Sequence, residues 1–154
     1  MFPLLRLAAA TVVGLATALP AAAQFQKPED AIKYRQSAMF VMGTHFGRIG
    51  AMASGKAPFD AAAAAANADI VATMSRLPFA GFVDGTSSAS GAKTKAKPEI
   101  WTERAKFDAG AARMQEGAAS LDAAAKTGNL DQIKAAFGEV AKQCKGCHDA
   151  YWNQ

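Results

Sequence analysis

The chain has little from which to build a metal cage or a cross-linked scaffold: two cysteines and two histidines in 154 residues. A structural zinc site takes four N, S or O ligands. Only His45 and His148 are available to join the two thiols, and no second Cys/His pair stands at finger spacing. Charge of one sign is also scarce. The formal net charge is +4 with no basic block, the densest stretch being Lys93, Lys95 and Lys97. With no aromatic or groove-reading motif beside it, that excess gives no ground for nucleic-acid binding. The one long apolar run, Leu7 to Leu19, is rich in small residues and broken by Pro20, below the ~20 residues that span a bilayer. Arg6 ahead of it and Ala21-Ala22-Ala23 behind it make residues 1–23 a cleaved secretory signal, with 24–154 as a single domain. Nothing reads as a strand.

Both cysteines lie in one motif near the C-terminus, Cys144-Lys145-Gly146-Cys147-His148. This is C-x-x-C-H, the attachment signature for c-type haem. Each thiol adds across a haem vinyl group to form a thioether, and the adjacent imidazole is held where it ligates the iron. On a helix, positions i, i+3 and i+4 share one side, so Cys144, Cys147 and His148 address one ring. A thioredoxin-like redox pair wants a strand before the motif and a βαβ context, and neither is present. A structural disulfide leaves the histidine unexplained. The cofactor expected is one haem c, bound through two thioethers.

Four stretches carry helical periodicity. Lys27 to Ser54 opens with Pro28-Glu29-Asp30, a proline and acids at a first turn, and repeats Ile32, Arg35, Met39, Met42, Phe46 and Ile49 at alternating spacings of three and four. Pro58 to Leu77 runs through Phe59, Ala63, Ala66, Ile70, Met74 and Leu77. Pro98 to Lys126 places Ile100, Phe107, Met114 and Leu121 seven apart, with Ala111, Ala118 and Ala125 between, and stops at Gly128. The last, capped by Asn129, runs Leu130, Ile133, Phe137, Val140, Cys144, Cys147 and Tyr151. Short connections make these an all-α, antiparallel four-helix bundle. The exception is Phe79 to Lys97, a long segment rich in Gly, Ser and Ala. The abundant alanine means either space between helices for a flat apolar cofactor or simply closer helix packing.

On the first helix, Arg35 falls on the inward seam. A guanidinium there grips a haem propionate, snorkels to the surface or pairs with an acid. Gln36 either donates to the same propionate or is a plain surface residue. Met39, one turn on, either ligates the iron or only packs over its open face, and Met42 shares its seam. His45 lies six residues past Met39, about 240° round the helix, and reads as a surface or packing residue.

With these residues in place the chain resembles the cytochrome c′ family over nearly all of residues 24–154. The likeness is carried by Lys27-Pro28-Glu29-Asp30, Lys33-Tyr34-Arg35-Gln36-Ser37-Ala38, His45-Phe46-Gly47-Arg48, Pro98-Glu99-Ile100-Trp101 and Cys144 through Tyr151. The resemblance implies a periplasmic homodimer built on the first two helices, with a high-spin, five-coordinate haem. His148 is then the axial ligand, Arg35 and Gln36 neighbour the propionates, and Met39 blocks the distal face. Such proteins bind nitric oxide and carbon monoxide while discriminating against dioxygen. The rival reading is a six-coordinate, low-spin electron carrier with Met39 or Met42 as second ligand. An enzyme such as a peroxidase needs a distal acid–base group, and the Met39 seam offers none. Two departures stand out: Trp152 follows Tyr151 where relatives often carry arginine, and the segment before Pro98 is longer.

Overall fold

A computed structural model describes residues 24–153; the expected signal, residues 1–23, lies outside them. The elements are α1 (Pro28–Ala53), α2 (Ala61–Met74), a single-turn α3 (Glu99–Thr102), α4 (Arg104–Lys126) and α5 (Leu130–Tyr151), with two short 3-10 turns at Pro78–Gly81 and Ser88–Ser90. The four long helices form a closed square: α1 packs on α2 and α5, and α4 packs on α2 and α5. This is the four-helix bundle the periodicity predicts. Among the described residues no helix is long and apolar enough to cross a membrane.

Local chemistry sets the helix ends. Pro28 opens α1 at its first turn, where a missing N–H costs nothing. Asn129 caps α5 by accepting from Asp131 N at 3.0 Å and Gln132 N at 3.1 Å. Gly128, at φ 68°, turns the chain out of α4 in the left-handed region that a side chain disfavours. α2 begins later than Pro58: Asp60 caps it, accepting from Ala63 N at 3.0 Å.

The seams of α1, α4 and α5 face inward as their periodicity predicts. Ile49, Leu121, Ile133 and Val140 are fully buried, and Ile100, Phe107, Met114 and Leu121 all lie inside. The inward face of α2 is different from the expected one. Ala64, Ala68, Val71 and Ser75 are buried, whereas Phe59, Ala66 and Leu77 are exposed. An alanine run has almost no contrast between its faces, so the helix turns by the closeness its methyl groups allow. Ala64, Ala68, Ala118 and Ala125 all sit in the core, and alanine here serves close packing of α2 with the rest of the bundle.

Pro98 to Lys126 is not one helix. The chain bends at Glu103 (φ −112°, ψ 37°), so α3 is a separate turn that keeps Ile100 in phase with Phe107. Ile100, Phe107 and Tyr151 form a second apolar cluster, with Phe79, Phe82 and Trp101 against it. The segment before Pro98 lies along the bundle. Its end pairs with the end of α5 in an antiparallel bridge, Ala96 with Trp152, the one strand-type pairing among the described residues.

Candidate functional site

Cys144, Cys147 and His148 occupy the last turns of α5. Cys144 and Cys147 are not bridged to each other and both are half-buried, and burial pushes each thiol above its usual range, the neighbouring Cys147 adding to the effect on Cys144. Partial desolvation pushes His148 below its ordinary value against the pull of Asp149, which favours the neutral imidazole that donates a lone pair to a metal. Asp149 itself is engaged by Lys145 at 2.5 Å. After Tyr151 the chain leaves the helix, and the Trp152 indole stands edge-on to the His148 ring, centroids 4.6 Å apart.

These three side chains line a cavity of about 580 Å³, within the range of cofactor pockets. It lies where α1 and α5 part. At its inner end the Phe46 and Phe137 rings stack at 4.2 Å, and α1 comes so close there that a Cβ on Gly50 would fall 2.8 Å from Phe137. The walls are chiefly apolar: Met39 and Met42 from α1, Phe107 and Met114 from α4, Phe79 and Phe82 from the segment between α2 and α3. Met39 is half-buried and Met42 buried, so both methionines of the seam reach the cavity wall. Buried Gly110 faces Cys147, where an added Cβ would lie 3.5 Å from Sγ. His45 is a packing residue, its Nδ1 2.8 Å from Asn67 Oδ1 across α1 and α2.

Arg35 lines the same cavity and is 3% exposed. It does not snorkel, and among the described residues it pairs with no acid. Nη1 donates to Gly81 O at 2.9 Å and Thr86 Oγ1 at 2.7 Å. Nη2 donates to Thr86 O at 2.6 Å and Thr94 Oγ1 at 2.9 Å. The guanidinium also lies 4.5 Å from the Phe82 ring centroid. Burial lowers its pKa to about 10, so it stays charged at neutral pH. The exposed Gln36 beside it donates to Lys93 O at 3.4 Å. Arg35 therefore clamps the long segment onto α1. Gly81 permits this, since a Cβ there would fall 2.6 Å from Ala31 O and 2.8 Å from Arg35 Cβ.

Gly81, Thr86 and Thr94 carry no periodic signal, and only the inward position of Arg35 hinted that acceptors must exist for it. Trp101, a further residue at this end of the bundle, keeps its Nε1–H buried without a partner among the described residues.

The donor set fits haem c. Two thiols one turn apart and an imidazole line an apolar cavity, and a buried guanidinium on its wall has no carboxylate within ion-pair distance among the described residues. A cation so placed suits the propionate of a flat apolar ring.

Comparison with known proteins agrees. The family model described as Cytochrome C' matches residues 30–152. Cytochrome c' from Rubrivivax gelatinosus is 53% identical over 128 residues, 83% of this chain and 98% of that one. Its crystal structure superposes with a TM-score of 0.80 at 52% identity, covering 84% of this chain and 100% of that one. A nitric oxide complex of a variant of cytochrome c prime from Alcaligenes xylosoxidans superposes with a TM-score of 0.78 at 46% identity, covering 85% of this chain and 99% of that one. With its site geometry and its sequence in agreement, the chain belongs to the cytochrome c′ family and carries that family's covalently attached haem c.

Proposed function

We propose that this is a periplasmic haem protein, exported by residues 1–23, that binds nitric oxide and carbon monoxide at a five-coordinate iron and also exchanges electrons. The observation that carries the reading is the make-up of the cavity: His148 on one wall, and on the α1 wall Met39, Met42 and Phe46, with no acid–base side chain among them. When bound, haem c supplies an iron that coordinates diatomic gases and changes oxidation state by one electron.

The chain's own residues do the rest. Cys144 and Cys147 hold the ring in place. His148 would give the iron its protein ligand, its neutral form favoured by partial desolvation. Arg35, its Nη1 and Nη2 hydrogens held by Gly81, Thr86 and Thr94, would draw a propionate by its charge, with Gln36 beside it, while the apolar face of Met39 would limit space at the opposite side and offers no hydrogen-bond donor. Dioxygen would gain more from a hydrogen-bond donor than the other two gases, so a face without one would select against it. The nitric oxide complex of the Alcaligenes xylosoxidans relative supports the ligand class. The homodimer is assigned to α1 and α2, which expose Phe40 and Val41 on the first and leave Phe59 exposed just before the second.

The experiment is titration of the ferrous holoprotein with each gas, followed optically. Saturable binding of nitric oxide and carbon monoxide with no dioxygen complex is expected; a stable dioxygen complex overturns the reading. One observation favours a second reading: two thioethers, Met39 and Met42, line the same cavity as His148. If either ligates, the protein is a low-spin electron carrier.

A further inference from the structure

Lys93, Lys95 and Lys97 are not left on a loose loop. Ser88 N donates to Ala96 O at 2.7 Å, Lys97 N to Tyr151 O at 2.9 Å and Asn153 N to Lys95 O at 2.9 Å, framing the bridge between Ala96 and Trp152. Along an extended segment successive side chains take opposite sides. Thr94 turns inward to Arg35 and Ala96 is half-buried, while Lys93 and Lys95 stand exposed. Thr94, Lys95 and Ala96 border the cavity that His148 lines, so this segment is its rim. Trp152, 44% exposed, lies beside it with Lys95 Nζ 5.8 Å from its ring.

Every lysine of α4 and α5, namely Lys106, Lys126, Lys134, Lys142 and Lys145, has an acid three or four residues away within 4.0 Å. Among the described residues Lys93, Lys95 and Lys97 have no such partner. Asp149 borders a smaller cavity with Lys95 but is engaged by Lys145. Cations around an exposed aromatic suit a transient protein contact, because charge steers the encounter and the ring supplies the buried centre.

We propose that the rim formed by Lys93, Lys95, Lys97 and Trp152 docks an acidic protein redox partner. The inference rests on the electron-transfer half of the proposed function. The step is outer-sphere: one electron crosses between the partner's centre and the haem iron, with no bond made or broken and no proton moved.

The test uses the ferrous holoprotein with two oxidants of opposite charge, hexacyanoferrate(III) and tris(phenanthroline)cobalt(III), over a range of ionic strength. The hexacyanoferrate rate is expected to fall as salt rises. In the Lys93→Glu/Lys95→Glu/Lys97→Glu variant it drops about tenfold or more at low salt, and the cobalt rate rises. Poly-L-glutamate, standing in for an acidic protein face, slows the hexacyanoferrate reaction of the unmodified protein but not of the variant. An equal charge change at the far end of the bundle, Lys56→Glu/Lys126→Glu/Lys134→Glu, leaves the rates nearly unchanged. An equal loss in that control overturns the proposal in favour of net charge. A shifted midpoint potential with an unchanged salt slope overturns it in favour of lysines that serve the cofactor. If the unmodified protein reacts with neither oxidant, electron transfer itself fails and the docking role with it; ready reaction that ignores the rim sinks the docking role alone.

Discussion

A guanidinium buried among hydroxyls and carbonyls, as Arg35 is, holds its charge through hydrogen bonds to a segment about fifty residues away. Removing one acceptor leaves an N–H of a buried cation unsatisfied. Thr86→Val, which keeps the shape of this fully buried residue, is expected to lower unfolding stability by about 1–3 kcal/mol. Urea titration of both proteins reads it, and an unchanged midpoint denies that the clamp contributes. At Met39 the expected effect is kinetic. Admitting a ligand against that side chain overpacks the site by about 1–3 kcal/mol, so Met39→Ala should speed carbon monoxide binding about fivefold or more. Flash photolysis measures the rate; an unaltered rate places the thioether outside the ligand's path. The inward position of Arg35 was legible from its spacing to Ile32 and Met39. Its partners were not, because Thr86 and Thr94 lie in a segment with no repeating pattern and become neighbours only when that segment folds back.

The helices differ in how plainly their faces can be read. In α4 and α5 large side chains recur against polar ones, and the buried set matches that recurrence from Phe107 to Leu121 and from Ile133 to Tyr151. α2 holds six consecutive alanines, Ala61 to Ala66, so a periodic template fits several rotations equally well. The observed face makes a prediction that the expected one does not. Ala68→Leu, at a fully buried position, should cost about 1–3 kcal/mol, whereas Ala66→Leu, on the exposed side, should stay within about 0.5 kcal/mol. Thermal unfolding of the two variants separates the rotations, and the reverse ranking restores the expected face. The break at Glu103 leaves no mark in the sequence pattern because Ile100 and Phe107 remain seven apart on either side of it, so the pattern continues although the helix does not.

At the scale of the molecule, the bundle is closed at one end and parted at the other. The Phe46–Phe137 stack and Gly50 draw α1 against α5. Toward the chain end the same two helices diverge around the cavity, and the segment from Pro78 to Lys97 closes the remaining side through Arg35 and Trp152. The C-x-x-C-H motif announced the cofactor because covalent attachment and ligation need those residue types at that spacing. The cavity, by contrast, exists only as a relation between helices. What the chain does therefore turns on whether His148 is the iron's one protein ligand. Electron paramagnetic resonance and the optical spectrum of the ferric holoprotein at neutral pH decide this most directly. An axial high-spin signal is predicted, with no methionine-to-iron charge-transfer band at the red edge of the spectrum. A rhombic low-spin signal with that band present would contradict the account and make Met39 or Met42 the second ligand.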